Sequence, residues 1–126
     1  MRPTSLLEVA RLTACGESFD RCLANFLDDF YEAPSAQALT YEPQLLAPLN
    51  GDLGLLQDAY LAATADELAR QFNLWRPLWT DGDARKLHRP WFASPLAALR
   101  AVLLLESPPG FRSRNLFVSE NALSRA

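Results

Sequence analysis

Residues that carry chemistry are scarce in this chain. Its 126 residues include one histidine, His88, and two cysteines, Cys15 and Cys22. Nucleophilic catalysis of the Ser–His–Asp or Cys–His kind needs a base. His88, the only candidate, stands in Lys86-Leu87-His88-Arg89, a setting expected of an ordinary loop or helix-end histidine. No Gly-x-Ser-x-Gly elbow, Gly-x-Gly-x-x-Gly turn or Walker-type loop occurs. The cysteines are seven positions apart, outside a chelating spacing, and no histidine lies near them in sequence, so no metal site is expected. Two thiols also make no disulfide framework. Asp28-Asp29 and Asp66-Glu67 are adjacent on predicted helices, so each pair diverges by about a hundred degrees and is expected to be a solvated face. No catalytic residue, cofactor or metal ligand is expected, and the chain is not expected to be an enzyme.

Other absences bound its setting. The longest apolar run, Leu96 to Leu105, is interrupted by Arg100 and is far too short to span a bilayer. The opening Met1-Arg2-Pro3-Thr4-Ser5-Leu6 lacks the apolar core of a secretory signal, which makes the cytoplasm the default expectation. Lys86 is the only lysine, the net charge is −3, and no internal helix pair reads as a recognition motif, so direct nucleic-acid binding is not expected.

What is present suits an all-α, compact single-domain bundle over 1–126, long enough to remove roughly two-thirds of its unfolded surface from water. Charge is split along it: residues 1–75 carry four arginines against eleven acids, and residues 76–126 eight Lys/Arg against four acids. Either two faces of opposite sign serve different partners, or the basic part folds back on the acidic part.

About four main helices are predicted, with Pro/Trp-rich connections and an irregular C-terminal segment. The first runs from about Ser5 to Ala14, capped by Thr4 or Ser5 and stopped by Gly16. In the second, Phe19, Cys22, Leu23, Phe26, Leu27 and Phe30 form one face opposite Asp20, Arg21, Asn25, Asp28 and Asp29, and Pro34 ends it. Residues 33–51 are expected to hold a short turn within Gln44–Ala47 with Pro43 at its first position. The third helix spans roughly Asp52 to Phe72 and has two apolar sides, as a central helix would. Two phrases then couple Arg-Pro with tryptophan, Leu74–Trp79 and His88–Phe92, with a short helix expected at Asp83–Leu87 between them. Trp75, Trp79 and Trp91 are expected as core plugs and lid anchors. The fourth main helix is expected from Ser94, with Pro95 at its first position, Leu96, Leu99, Val102 and Leu103 as core stripe, and Ala97, Ala98 and Ala101 as close-packing surface. Asn115–Val118 is expected to be extended, with Ser119 capping a last turn through Ser124.

Glu106 ends the apolar fourth helix, where a negative charge opposes the helix dipole. Arg112 and Arg114 follow a Pro-Pro-Gly turn, so an ion pair from one of them to Glu106 is expected to hold the C-terminal segment down. The alternative is that Glu106 and one arginine face outwards as a polar anchor for a partner.

The stretch from Arg89-Pro90-Trp91-Phe92 through Glu106-Ser107-Pro108 and Phe111-Arg112-Ser113-Arg114-Asn115-Leu116-Phe117-Val118 to Asn121-Ala122-Leu123-Ser124-Arg125 resembles an uncharacterised bacterial helical family. Gly16-Glu17-x-Phe19-Asp20-Arg21 and Phe26-Leu27-Asp28-Asp29-Phe30-Tyr31 are similar too. Similar modules occur behind helix-turn-helix regulators of the toxin–antitoxin sort. No recognisable helix-turn-helix precedes the module here, and the family brings no established activity. The expected function is therefore a non-enzymatic protein-interaction module, an antitoxin-like or regulatory partner of a separately encoded protein, with Arg112, Arg114, Asn115 and Phe117 as its partner-binding residues. The alternative is a small-molecule-binding or hydrolytic helical domain with a pocket between the central helices. A homodimer through spare apolar helix surface is compatible with either.

Overall fold

A computed structural model describes residues 2–94 and 96–125 of the chain, the side chains of Ala97 and Ala98 excepted. The chain is all-α. Its first two helices form where local signals are strongest. The Ser5 hydroxyl accepts the Glu8 amide at 3.2 Å and starts α1, Leu6–Ala14, while Gly16 beyond its end takes φ +105°. The Ser18 hydroxyl accepts the Arg21 amide and starts α2, Phe19–Glu32. Along α2, Cys22, Leu23, Phe26, Leu27 and Phe30 are buried, and α1 packs on this helix through Leu6, Val9 and Ala10. The Phe30 ring meets Phe72 edge-to-face at 5.3 Å between centroids.

The next connection differs from expectation. A short α3 occupies Gln37–Thr40, and the following turn is not at Gln44–Ala47 but opens α4, Ala47–Gln71, with Pro48 in its first positions. The reason is a cap from twelve residues ahead. The buried Asp58 carboxylate accepts the amides of Leu46 (2.7 Å) and Ala47 (3.1 Å), so the chain must reach Leu46 before it turns. Gly51, at φ 59° and ψ −132°, then breaks the path, and the long helix proceeds from there. Gly54 permits the fold-back: a Cβ there would lie 2.3 Å from the Leu46 carbonyl oxygen. Leu61 to Ala65 and Glu67 to Ala69 are buried in an unbroken row save Asp66, as befits a helix enclosed by neighbours.

Two 3-10 turns, Leu78–Asp81 and Asp83–Arg85, lie against α4 in place of the single helix expected at Asp83–Leu87. The Trp phrases end up unlike one another. Trp75 is 90% exposed and plugs nothing. Trp79 is half-buried and donates its indole N–H to the Leu39 carbonyl at 3.0 Å. Trp91 and Phe92 form β1, which pairs in parallel with β2, Leu116–Phe117. Between them run α5, Ala97–Glu106, and α6, Pro109–Arg112, so the Pro-Pro-Gly segment starts a helix rather than making only a turn. A last turn follows Ser119, whose hydroxyl accepts the Asn121 amide.

The expected core stripe of α5 is not there. Of Leu96, Leu99, Val102 and Leu103, only Leu103 is buried. The expectation for Pro95, and that for the Ala97 and Ala98 side chains, lies outside the described residues.

The charge split resolves as the folding-back of the basic part. Arg76 and Arg114 both bind Asp66, Arg125 binds Asp28, and Arg85 reaches Asp58 and Glu42.

Candidate interaction surface

The C-terminal segment is clasped by Asp66 and Glu67. Being adjacent, they diverge as expected, but neither is a solvated face. The Glu67 carboxylate is buried and accepts the Gly110 amide at 2.9 Å, while its other oxygen binds Arg70. Asp66 accepts Arg76 Nε at 3.0 Å and lies 2.7 Å from an Arg114 guanidinium nitrogen. Gly110 is the residue that fits here, since a Cβ would stand 2.9 Å from the Glu67 carboxylate and 3.3 Å from the Ala63 carbonyl oxygen.

This clasp redistributes the four residues expected to bind a partner. Arg114 is only 5% exposed; besides Asp66 it donates to the carbonyls of Gly110 (2.7 Å) and Thr80 (2.8 Å). Asn115 adopts a left-handed φ of 63° and donates its side-chain amide to the Leu87 carbonyl at 2.7 Å. Phe117 is buried and stacks on Phe92 with centroids 5.1 Å apart. All three face inwards or are bound by the chain itself, so they do not form an outward grip. Arg112, the last residue of α6, is exposed. The expected ion pair of Glu106 with Arg112 or Arg114 is absent as well. Glu106 accepts the Glu120 amide at 3.3 Å, and Asp66 on the central helix takes Arg114 instead.

A second buried arginine escaped sequence reasoning. Arg85 is 1% exposed, with its guanidinium 4.9 Å from the centre of the Trp79 ring and donating to the Pro43 carbonyl. Its Nη1 is 3.9 Å from Asp58, and its Nε has no hydrogen-bond partner. Burial lowers the Arg85 pKa against the pull of Asp58 and Glu42, and burial raises that of Asp58 against its two amide donors and Arg85. The pair ties the Asp58 cap to the 3-10 turns. Only the arginine of a turn-rich stretch marked it in the sequence, and that signal is weak.

The surface features that remain are apolar. Around α5, Leu96, Leu99, Val102 and Leu104 are exposed, and Leu105 is 84% exposed. The helix is held at Leu103 and by Arg100, whose guanidinium lies 5.1 Å over the Phe92 ring, itself stacked on Phe117. Nearby, a groove of about 610 Å³ opens between α2 and α4. Phe19, Leu23, Leu27, Leu53, Leu56, Tyr60 and Trp91 line it, with Asp20, Gln57 and Arg125 as polar groups. Burial pushes the Tyr60 phenol up to about 12, Asp20 adding to the effect.

Among the described residues no group of three or more His, Cys, Asp or Glu side chains is placed to hold a metal ion. His88 is exposed and does not line the groove. Among the described residues no helix is long and apolar enough to cross a membrane. Comparison with family models, with curated proteins and with solved structures yields no match.

Proposed function

We propose that the chain is a non-enzymatic protein-interaction module, a regulatory or antitoxin-like partner of a separately encoded protein, and that α5 is the element it presents. One observation carries the reading. The helix α5, Ala97–Glu106, is the most apolar of the long helices, yet Leu103 is its only large side chain taken into the core. A helix that is hydrophobic all round belongs inside something, and an exposed apolar patch of this kind marks an interaction site. The resemblance of the C-terminal stretch to modules found behind toxin–antitoxin regulators supports the same class of function. Arg112 supplies an outward polar anchor, while Arg114, Asn115 and Phe117 hold the segment that carries it.

The test is a pull-down of the tagged chain from its native source beside Leu105→Glu and Arg112→Glu. The expected result is one stoichiometric partner that Leu105→Glu loses with its helical circular dichroism intact, and that Arg112→Glu holds more weakly. Recovery of no partner, or undiminished recovery by Leu105→Glu, overturns the reading.

The groove favours a second reading, a small-molecule-binding domain with Trp91 and Tyr60 in its wall. A rise in melting temperature with one metabolite, abolished by Leu56→Glu, is its signature. Hydrolysis has less support, since neither His88 nor Glu106 lines the groove.

A further inference from the structure

The molecule carries a largely apolar helix with exposed leucines and, between α2 and α4, a groove with largely apolar walls. We infer that each belongs to the other across two copies: in the isolated protein α5 of one chain seats in the α2/α4 groove of a second, reciprocally. The inference rests on reading α5 as an interaction element, and names what covers that element before any other partner arrives.

Chemistry matches on both sides. The groove walls present Phe19, Leu23, Leu53 and Leu56, and their volume is in the range that takes several apolar side chains. Leu105 and Leu104 on α5 supply them. Charge is complementary as well. The only cation of α5 is Arg100, which lies over the Phe92 ring, and the groove holds Asp20 and Arg125; Arg125 is taken by Asp28, whereas neither Asp20 nor Arg100 has an ion-pair partner among the described residues. The helix has no acid before Glu106 at its end, so nothing repels Asp20 along its length.

Placement argues for a closed pair rather than a chain of copies. Trp91 lines the groove, and Leu96, ahead of the first turn of α5, follows it by five residues, a span of at most about 18 Å. The start of the donor helix is therefore tethered within that distance of the acceptor groove. A two-fold axis between them seats both helices at once, which is the isologous arrangement that closes a dimer.

The experiment is the mass of the purified full chain by light scattering over a wide concentration range, with a charge-swap cycle. Wild type is expected at twice the chain mass. Asp20→Arg and Arg100→Asp are each expected to weaken the dimer about tenfold, and the double variant to restore it. Leu105→Glu and Leu53→Glu place a carboxylate in the apolar contact and are expected to weaken it about a hundredfold, while Leu78→Glu, exposed elsewhere, leaves it unchanged. A monomer throughout, or a dimer indifferent to both single swaps, overturns the inference. Neither outcome touches the function proposed above, which fails only if Leu105→Glu has no effect in the pull-down or no partner is found. Circular dichroism of each variant guards against unfolding.

Discussion

Replacing Arg114 by methionine tests whether this residue is a clasp or a grip. Methionine keeps much of the volume and removes every donor. Asp66 loses one of its two arginines, and the carbonyls of Thr80 and Gly110 lose theirs at 2.8 and 2.7 Å. Breaking a buried ion pair costs about 3–5 kcal/mol, because the abandoned charge stays behind. Here Asp66 keeps Arg76 at 3.0 Å, and Gly110 keeps a longer bond from the Ser113 hydroxyl at 3.4 Å, which places the loss near the lower end, about 3 kcal/mol. For a domain of this size that is a fall of about 10 °C in melting temperature, read by far-ultraviolet circular dichroism. Arg114→Lys should fall between, since a single ammonium keeps the charge but not a fork that reaches three acceptors. Arg112→Glu, on the exposed end of α6, should stay within about 0.5 kcal/mol of wild type. An Arg114→Met protein as stable as wild type would sink the clasp and return Arg114 to the partner surface.

Two further outcomes follow from burial. Cys15 is exposed, whereas Cys22 is buried and its thiol pKa is raised by burial and then by Glu17, so a disulfide reagent at mild alkaline pH should modify one thiol per folded chain; equal rates at both would mean that the core face of α2 opens freely. The Tyr60 phenol, pushed up to about 12, stays protonated in the folded chain after it has ionised in the unfolded one. Between about pH 10 and 12 the unfolded state thus binds fewer protons, and stability should fall with rising pH by about 2 kcal/mol. Urea midpoints across that range should fall less steeply for Tyr60→Phe, and equal slopes would refute the assignment.

The sequence is most legible where apolar and polar residues alternate in sharp contrast. On α2 the five buried side chains and their charged opposite face announce both the helix and its orientation. Ser5, Ser18 and Gly16 mark ends that the structure places within a residue. What eluded sequence reasoning depends on distant partners. The turn before α4 is positioned by Asp58 from twelve residues ahead, and Asp58 in turn faces Arg85. Asp66 and Glu67 looked like surface acids because local spacing says nothing of the C-terminal segment that comes to lie on them. The same long-range folding took Arg114 and Phe117 out of the candidate site.

Helix α5 was misread for the opposite reason, and that error bears on function. Leu96, Leu99, Val102 and Leu103 do recur at helical spacing, but Ala101, Leu104 and Leu105 fill the remaining circumference, so no polar face tells which side is inside. A periodic stripe predicts burial only by contrast with its opposite face. Within this chain the strand pair offers α5 a narrow seat, at Leu103 and at the Arg100–Phe92–Phe117 stack, leaving Leu99, Val102 and Leu104 partly exposed and Leu105 almost wholly so. Fully burying an exposed large apolar side chain is worth about 1.5–3 kcal/mol, and Leu105, at 84% exposure, forgoes most of that, the half-covered Leu99, Val102 and Leu104 only part of it. The arginines drew notice as the specific part of the C-terminal segment, yet the fold uses Arg114 internally. The exposed apolar surface of α5 has no comparable internal use among the described residues, which is why the proposed interaction is assigned to this helix rather than to Arg114.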